Sequence, residues 1–142
     1  GLKAEVGKNS IKLNYRGIEF TVNKVSGQES TFSGLLAEGR FKDAAELIRN
    51  MIESGANQTG ITENLINSLG YKALAKKDFE GAIALFGLNC ELYPGSANTF
   101  DSLGEAYMLS GNFFMATESY RRSVDLDPKN QNAVNMLEKL TK

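Results

Sequence analysis

The sequence has no histidine, a single cysteine and only two prolines in 142 residues. Without histidine the usual acid-base group near neutral pH and the commonest metal ligand are both missing. Cys90 has no second cysteine to bridge and no histidine to activate it, so it is expected to be a small buried thiol rather than a nucleophile. No glycine-rich phosphate cradle is present, since Gly104 and Gly111 are spaced for helix packing and a turn. No run of about eighteen apolar residues occurs, which argues against membrane insertion. The formal net charge of -1 argues against nucleic acid or an anionic bilayer as a partner, because both reward a basic surface. The chain is therefore expected not to be an enzyme and to need no cofactor. It lacks an initiator methionine, opening Gly1-Leu2-Lys3. Any targeting segment would then be missing, and a cytoplasmic and a bacterial extracytoplasmic location stay equally open.

What the chain does contain is a repeat. Leu69, Gly70, Ala82 and Pro94 recur as Leu103, Gly104, Ala116 and Pro128, and Phe79 and Leu92 recur as Phe113 and Leu126, each thirty-four residues later. Ile66, Leu69, Gly70 and Ala73 fall at i, i+3, i+4 and i+7, one face of a helix, as do Phe100, Leu103, Gly104 and Tyr107. Small residues at Gly70, Gly104, Ala82 and Ala116 let paired helices approach closely. Pro94 and Pro128 end the second helix of each pair, and Asp78 and Asn112 are helix-start residues. The period and this residue set resemble the tetratricopeptide repeat (TPR), a helix-turn-helix unit. The second copy carries Phe100, Leu103-Gly104, Tyr107, Ala116, Tyr120, Ser123 and Pro128; the first departs from the pattern at Ala73 and Asn89. The run from Ala84 to Asn98, with Asp101 to Tyr107 after it, is also similar to C-terminal repeat regions attached to bacterial serine hydrolases. No nucleophile motif of such enzymes occurs here.

Two segments are expected, residues 1–27 and 28–142. Residues 1–10 read as a polar lead-in without periodic signal. Ile11, Leu13 and Tyr15, then Ile18, Phe20 and Val22, alternate with polar residues, which predicts a β-hairpin over residues 10–25 turning at Arg16-Gly17. A hairpin alone is marginal in water and needs a covering surface. Ser26 to Ser30 reads as a linker. Gly39, Phe41, Ala44 and Ile48 match Gly111, Phe113, Ala116 and Tyr120, predicting a degenerate first unit with a short helix near Thr31 to Glu38. Its closing loop, Ser54 to Gly60, lacks the proline. Gln131 to Thr141 reads as a capping helix, with Glu138 where the glycine would stand. The expected fold is thus mainly α: a TPR-type solenoid of two full repeats, a degenerate N-terminal unit and a C-terminal cap, after a short hairpin.

The TPR resemblance implies that first helices line a concave groove open to another polypeptide. The matching positions are Asn64, Asn67 and Tyr71, then Asn98, Asp101 and Glu105, then Asn132, Asn135 and Lys139. Asparagine amides both donate and accept, so rows of them can pair with a peptide backbone. Leu74 and Met108 would add apolar contact. The alternative for Asn64, Asn98 and Asn132 is local capping, for which asparagine is favoured. Asp101 and Glu105, at i and i+4, read as solvated carboxylates rather than a cation site, as no further ligands accompany them. They would repel the chaperone C-terminal carboxylates that some family members clamp. Three functions follow: a non-enzymatic module for an extended or helical peptide of neutral to basic character; an accessory domain of a larger bacterial serine hydrolase; or a self-associating scaffold, homodimeric through the hairpin edge.

Overall fold

The structure, a computed structural model, describes residues 3–6, 10–15, 18–23, 31–55 and 60–142, with side chains described for 31–55 and 60–142. The helical part consists of α1 (Phe32–Ala37), α2 (Phe41–Glu53), α3 (Glu63–Ala75), α4 (Phe79–Leu92), α5 (Ala97–Leu109), α6 (Phe113–Leu126) and α7 (Gln131–Leu140). α1–α2, α3–α4 and α5–α6 are helical hairpins, and α7 is a first helix packed on α6.

The three hairpin turns share one construction. Arg40, Asp78 and Asn112 each donate a backbone N–H to a carbonyl five residues earlier, on Leu35, Ala73 and Tyr107, at 2.8, 3.0 and 2.9 Å. That bond requires a left-handed residue just before the donor. Gly39 (φ 71°) and Gly111 (φ 84°) supply it freely, whereas Lys77 (φ 59°) adopts it in the middle unit. In the two full units the next helix then starts from a side-chain cap, Asp78 accepting from the Gly81 N–H and Asn112 from the Met115 N–H, whereas Arg40 before α2 makes no such bond. At the far ends, α4 stops at Leu92 and α6 at Leu126, two residues before Pro94 and Pro128.

Within each full unit, the second helix presses an aromatic ring onto the glycine of the first. A Cβ placed on Gly70 would sit 2.4 Å from the Phe86 ring, and one on Gly104 would sit 2.9 Å from the Tyr120 ring. Phe86 and Tyr120 are fully buried. The main core gathers Phe32, Leu35, Phe41, Ile48, Ile66, Leu69, Leu85 and Leu88 from α1 to α4, with Ala106 of α5. A smaller cluster of Ala116, Tyr120 and Ala133 joins α6 to α7. Asn89, the departure in the first copy, is buried and donates from Nδ2 to the Glu63 carbonyl at 3.1 Å. Ser123 does the same one period later to the Ala97 carbonyl at 2.8 Å. Both side chains tie the end of a second helix to the start of its own first helix.

Toward the N-terminus the backbone departs from the expected lead-in and lone hairpin. β1 (Lys3–Val6), β2 (Ser10–Tyr15) and β3 (Ile18–Asn23) form a three-stranded antiparallel sheet in the order β1-β2-β3. Leu13 stands opposite Ala4 on one side and Phe20 on the other. Ala4 and Val6 alternate with Lys3 and Glu5, a pattern too short to stand out until pairing with β2 gives it a register. The expected Arg16-Gly17 turn, the Ser26 to Ser30 linker and residues 56–59 of the closing loop lie outside the described residues.

Two glycines of adjacent helices make the ring contact testable. Gly70→Ala should destabilise the chain by about 1–3 kcal/mol through overpacking against Phe86. Gly87→Ala, in α4 with open space around its Cβ position, should instead stabilise by about 0.5–1 kcal/mol. Denaturant melts of both variants against the parent check the two signs.

Candidate functional site

The first helices α3, α5 and α7 bring the predicted rows together, and hydrogen bonds between units stitch them. Glu63, at the start of α3, accepts at Oε1 from Ser96 Oγ at 2.9 Å and from Asn98 Nδ2 at 3.3 Å. Asn67 Oδ1 accepts from Ser102 Oγ at 2.9 Å. Tyr71 donates its hydroxyl to Glu105 Oε2 at 2.8 Å and lies 3.4 Å from Ser102 Oγ. One unit further on, Asn132 Nδ2 reaches both carboxylate oxygens of Asp101, at 2.9 and 3.0 Å. Asn135 accepts from Gln131 Nε2 on its own helix at 2.8 Å.

Asn64, Asn98 and Asn132 are not the cap residues of their helices. The helix caps are Thr62, Ser96 and Asn130, two positions further out than the capping alternative required. Asn64, Asn98 and Asn132 each sit in the first turn, two residues after the cap, and all three are exposed. Asn98 and Asn132 donate to acidic groups of the preceding unit, while no hydrogen bond is made by the Asn64 side chain among the described residues. Leu74 and Met108 are half-buried, packing against the main core and the smaller cluster respectively. Their contribution to an open surface is correspondingly partial. Lys139, in the last turn of α7, is exposed.

Sequence reasoning missed Glu63, Ser96 and Ser102. Ser96 is the cap residue whose hydroxyl makes no capping bond and reaches Glu63 instead. Ser102 is buried between Asn67 and Tyr71, while its periodic counterpart Ser68 is exposed. The Ser-Leu-Gly triplet was visible in both copies; its contact was not, because it depends on the neighbouring unit.

The electrostatics are one-sided. Burial, with the nearby Glu105 charge, raises the Asp101 carboxyl above its usual range, against the bond from Asn132. Burial also pushes the Tyr71 hydroxyl up to about 12, with Glu105 and Asp101 adding to the shift, so Tyr71 remains a donor at neutral pH. None of Glu63, Asp101 and Glu105 belongs to an ion pair among the described residues. Asp101 and Glu105 are held by separate neutral donors, and no cluster of three metal-ligating side chains occurs among the described residues. Cys90 is buried, and burial pushes its thiol up to about 11, so it is uncharged at neutral pH. A pocket of about 430 Å³ opens elsewhere, between α1 and the end of α3; Leu36, Phe41, Lys72 and Lys76 help line it, and none of the groove candidates does. No described helix is long and apolar enough to cross a membrane.

Helical hairpins of this construction, stacked with a glycine-on-ring contact in each full unit, define the TPR fold. No protein-family model matches the chain. Superkiller protein 3 of Schizosaccharomyces pombe is 38% identical over 61 residues, 43% of this chain. The match spans only 4% of that protein's length. Among solved structures, the first TPR of Spaghetti (RPAP3) bound to the HSP90 peptide SRMEEVD superposes with a TM-score of 0.55 at 19% identity, covering 78% of this chain and 84% of that one. The second TPR domain of human RPAP3, in complex with the HSP70 peptide SGPTIEEVD, gives 0.55 at 22% identity, covering 78% and 89%. A MamA mutant gives 0.57 at 17% identity, covering 77% of each chain.

Because native Asp101 holds its proton more tightly than the unfolded chain does, its contribution to stability is full in acid and is lost as pH rises through the carboxylate range. The melting temperature of the parent minus that of Asp101→Asn should accordingly become more positive between pH 7 and pH 4. Differential scanning calorimetry at both ends reads the sign. Separately, Ser102→Ala removes a buried donor from Asn67 and should cost about 1 kcal/mol in a urea melt.

Proposed function

We propose that this chain is a non-enzymatic protein-interaction module whose first-helix face binds an extended or helical peptide segment of neutral to basic character. The observation that carries this reading is the charge of that face. Glu63, Asp101 and Glu105 lie on it without a cationic partner among the described residues, and each is held in place by neutral donors from another unit. Carboxylates positioned before the ligand arrives lose little freedom on binding, so a lysine or arginine of the peptide meets a prepared acceptor. Asn64 and the half-buried Asn67 add amides suited to a peptide backbone, and Tyr71 adds an accessible ring edge-on to Phe86 at 5.1 Å.

The neighbours in complex with HSP90 and HSP70 peptides support a peptide as the kind of ligand. Those peptides end in two glutamates, a valine and an aspartate. The face described here would repel such a tail, since like charges brought together across an interface cost several kcal/mol. The preferred sequence is therefore of the opposite sign.

A peptide array probed with the labelled chain tests this. Lysine- and arginine-containing peptides should be retained, with retention falling as salt is raised, and SRMEEVD should not. Asp101→Ala should weaken the best binder at least tenfold, as should Asn67→Ala, with folding of each checked by circular dichroism. Unchanged binding in both folded variants, or preference for the acidic peptide, overturns the reading.

A further inference from the structure

The first helices α1, α3 and α5 are each followed by a left-handed residue, Gly39, Lys77 and Gly111, and counting back from it aligns them. Six residues before it α1 has Ser33 where α3 has Tyr71, and five before it α3 has Lys72 where α5 has Ala106. The two seams are filled differently as a result. Between α3 and α5, Tyr71 reaches across to Glu105 at 2.8 Å, and Ala106 is fully buried in the main core. Between α1 and α3 no such ring crosses, and Ser33 stands at the wall of the pocket of about 430 Å³. Leu36, Ala37, Phe41 and Ala75 make the apolar part of that wall, Lys72 and Lys76 its charged part, and no acidic side chain lines it among the described residues.

The two lysines stand at i and i+4 on α3, a spacing at which like charges repel and weaken a helix. Both are exposed, and neither makes an ion pair or a side-chain hydrogen bond among the described residues. α1 carries no charged residue, and Glu38 just after it is paired with Arg40. The dipole of a helix end favours a lysine, yet α5 has no basic residue in its last turn, and the dipole does not account for an apolar wall beside the pair. We infer that this pocket binds a small amphiphilic anion, a carboxylate with an apolar body, its head between Lys72 and Lys76 and its body against Leu36, Phe41 and Ala75. The charge of such a head cancels the repulsion between the two ammonium groups, and its body takes the apolar surface out of water. The volume lies within the range of about 300–1,000 Å³ that small-molecule sites occupy. Asp101 and Glu105 would repel the same ligand, so charge directs it to this pocket rather than to the first-helix face. The site contains none of the groove residues and does not depend on the peptide-binding reading.

The probe is decanoate, titrated into the ¹⁵N-labelled full chain at neutral pH. Saturable amide shifts are expected from Ser33 to Ala37 and from Lys72 to Lys76. Decyltrimethylammonium, with the same tail and the opposite charge, and acetate, with the charge and no tail, should each bind there at least tenfold more weakly. Lys72→Gln combined with Lys76→Gln should weaken decanoate binding at least tenfold with no loss of melting temperature. Ser33→Tyr, which gives α1 the ring that α3 carries at this place, should fill the pocket and remove the shifts. Phe114→Asp, which deletes the most exposed large apolar side chain among the described residues, should leave the affinity unchanged. Absence of saturable shifts at millimolar decanoate, equal binding of the cationic amphiphile, or an affinity indifferent to the double lysine substitution overturns the inference. So do shifts centred on Leu109 to Phe114, which would mark unspecific adsorption to exposed apolar surface.

Discussion

Phe86 lies against Gly70 and Tyr120 against Gly104, closely enough that a methyl group on either glycine would overlap the ring. Each contact sets the distance between the two helices of a full unit, and so sets where the outer faces of those helices stand. With Ala82 and Ala116 fully buried in the same units, backbones come near enough for short side chains to reach across. Asn89 and Ser123 can then bond the carbonyls at the starts of α3 and α5. Longer residues at the glycine positions would push those donors out of range, so the packing contact governs the polar ones.

The same spacing shapes the outer face of the first helices. Serine, asparagine and tyrosine have short reach, yet they connect α3 to α5 through Ser102 and Asn67 and through Tyr71 and Glu105, and α5 to α7 through Asn132 and Asp101. These bonds make the face at once a seam between units and a row of positioned acceptors. Their neutral donors leave the negative charge of the carboxylates uncancelled. A face built this way is held by its hydrogen bonds and keeps its negative charge.

Much of the helical fold was legible in the residues. The thirty-four-residue spacing of Leu-Gly, alanine and proline marked the hairpins, and the short α1 and the capping α7 both fell where residue patterns placed them. Asn89, read as a weakening of the first copy, turned out to make the same tie as Ser123 with a different donor. The strand β1 escaped notice because four alternating residues are no signal until a paired strand supplies the register. The candidate rows fall on α3, α5 and α7 as their spacing placed them, but their hydrogen-bond partners were not foreseen. Glu63, Ser96 and Ser102 join that network from positions that carry no distinctive local pattern.

The amino-acid order by itself determined the period, the helix boundaries and which face of each helix is small and apolar, because those properties depend on neighbours three, four or thirty-four residues away along one chain. Tertiary structure decided how the polar residues are used. Asn98 became a bridge to Glu63 rather than a cap, Asp101 an acceptor for Asn132, and Phe114 an uncovered ring where Lys42 and Glu80 pair. The physical reason is range: a hydrogen bond or a buried ring is defined within about 4 Å in space, and which residues come that close depends on how one hairpin is set against the next.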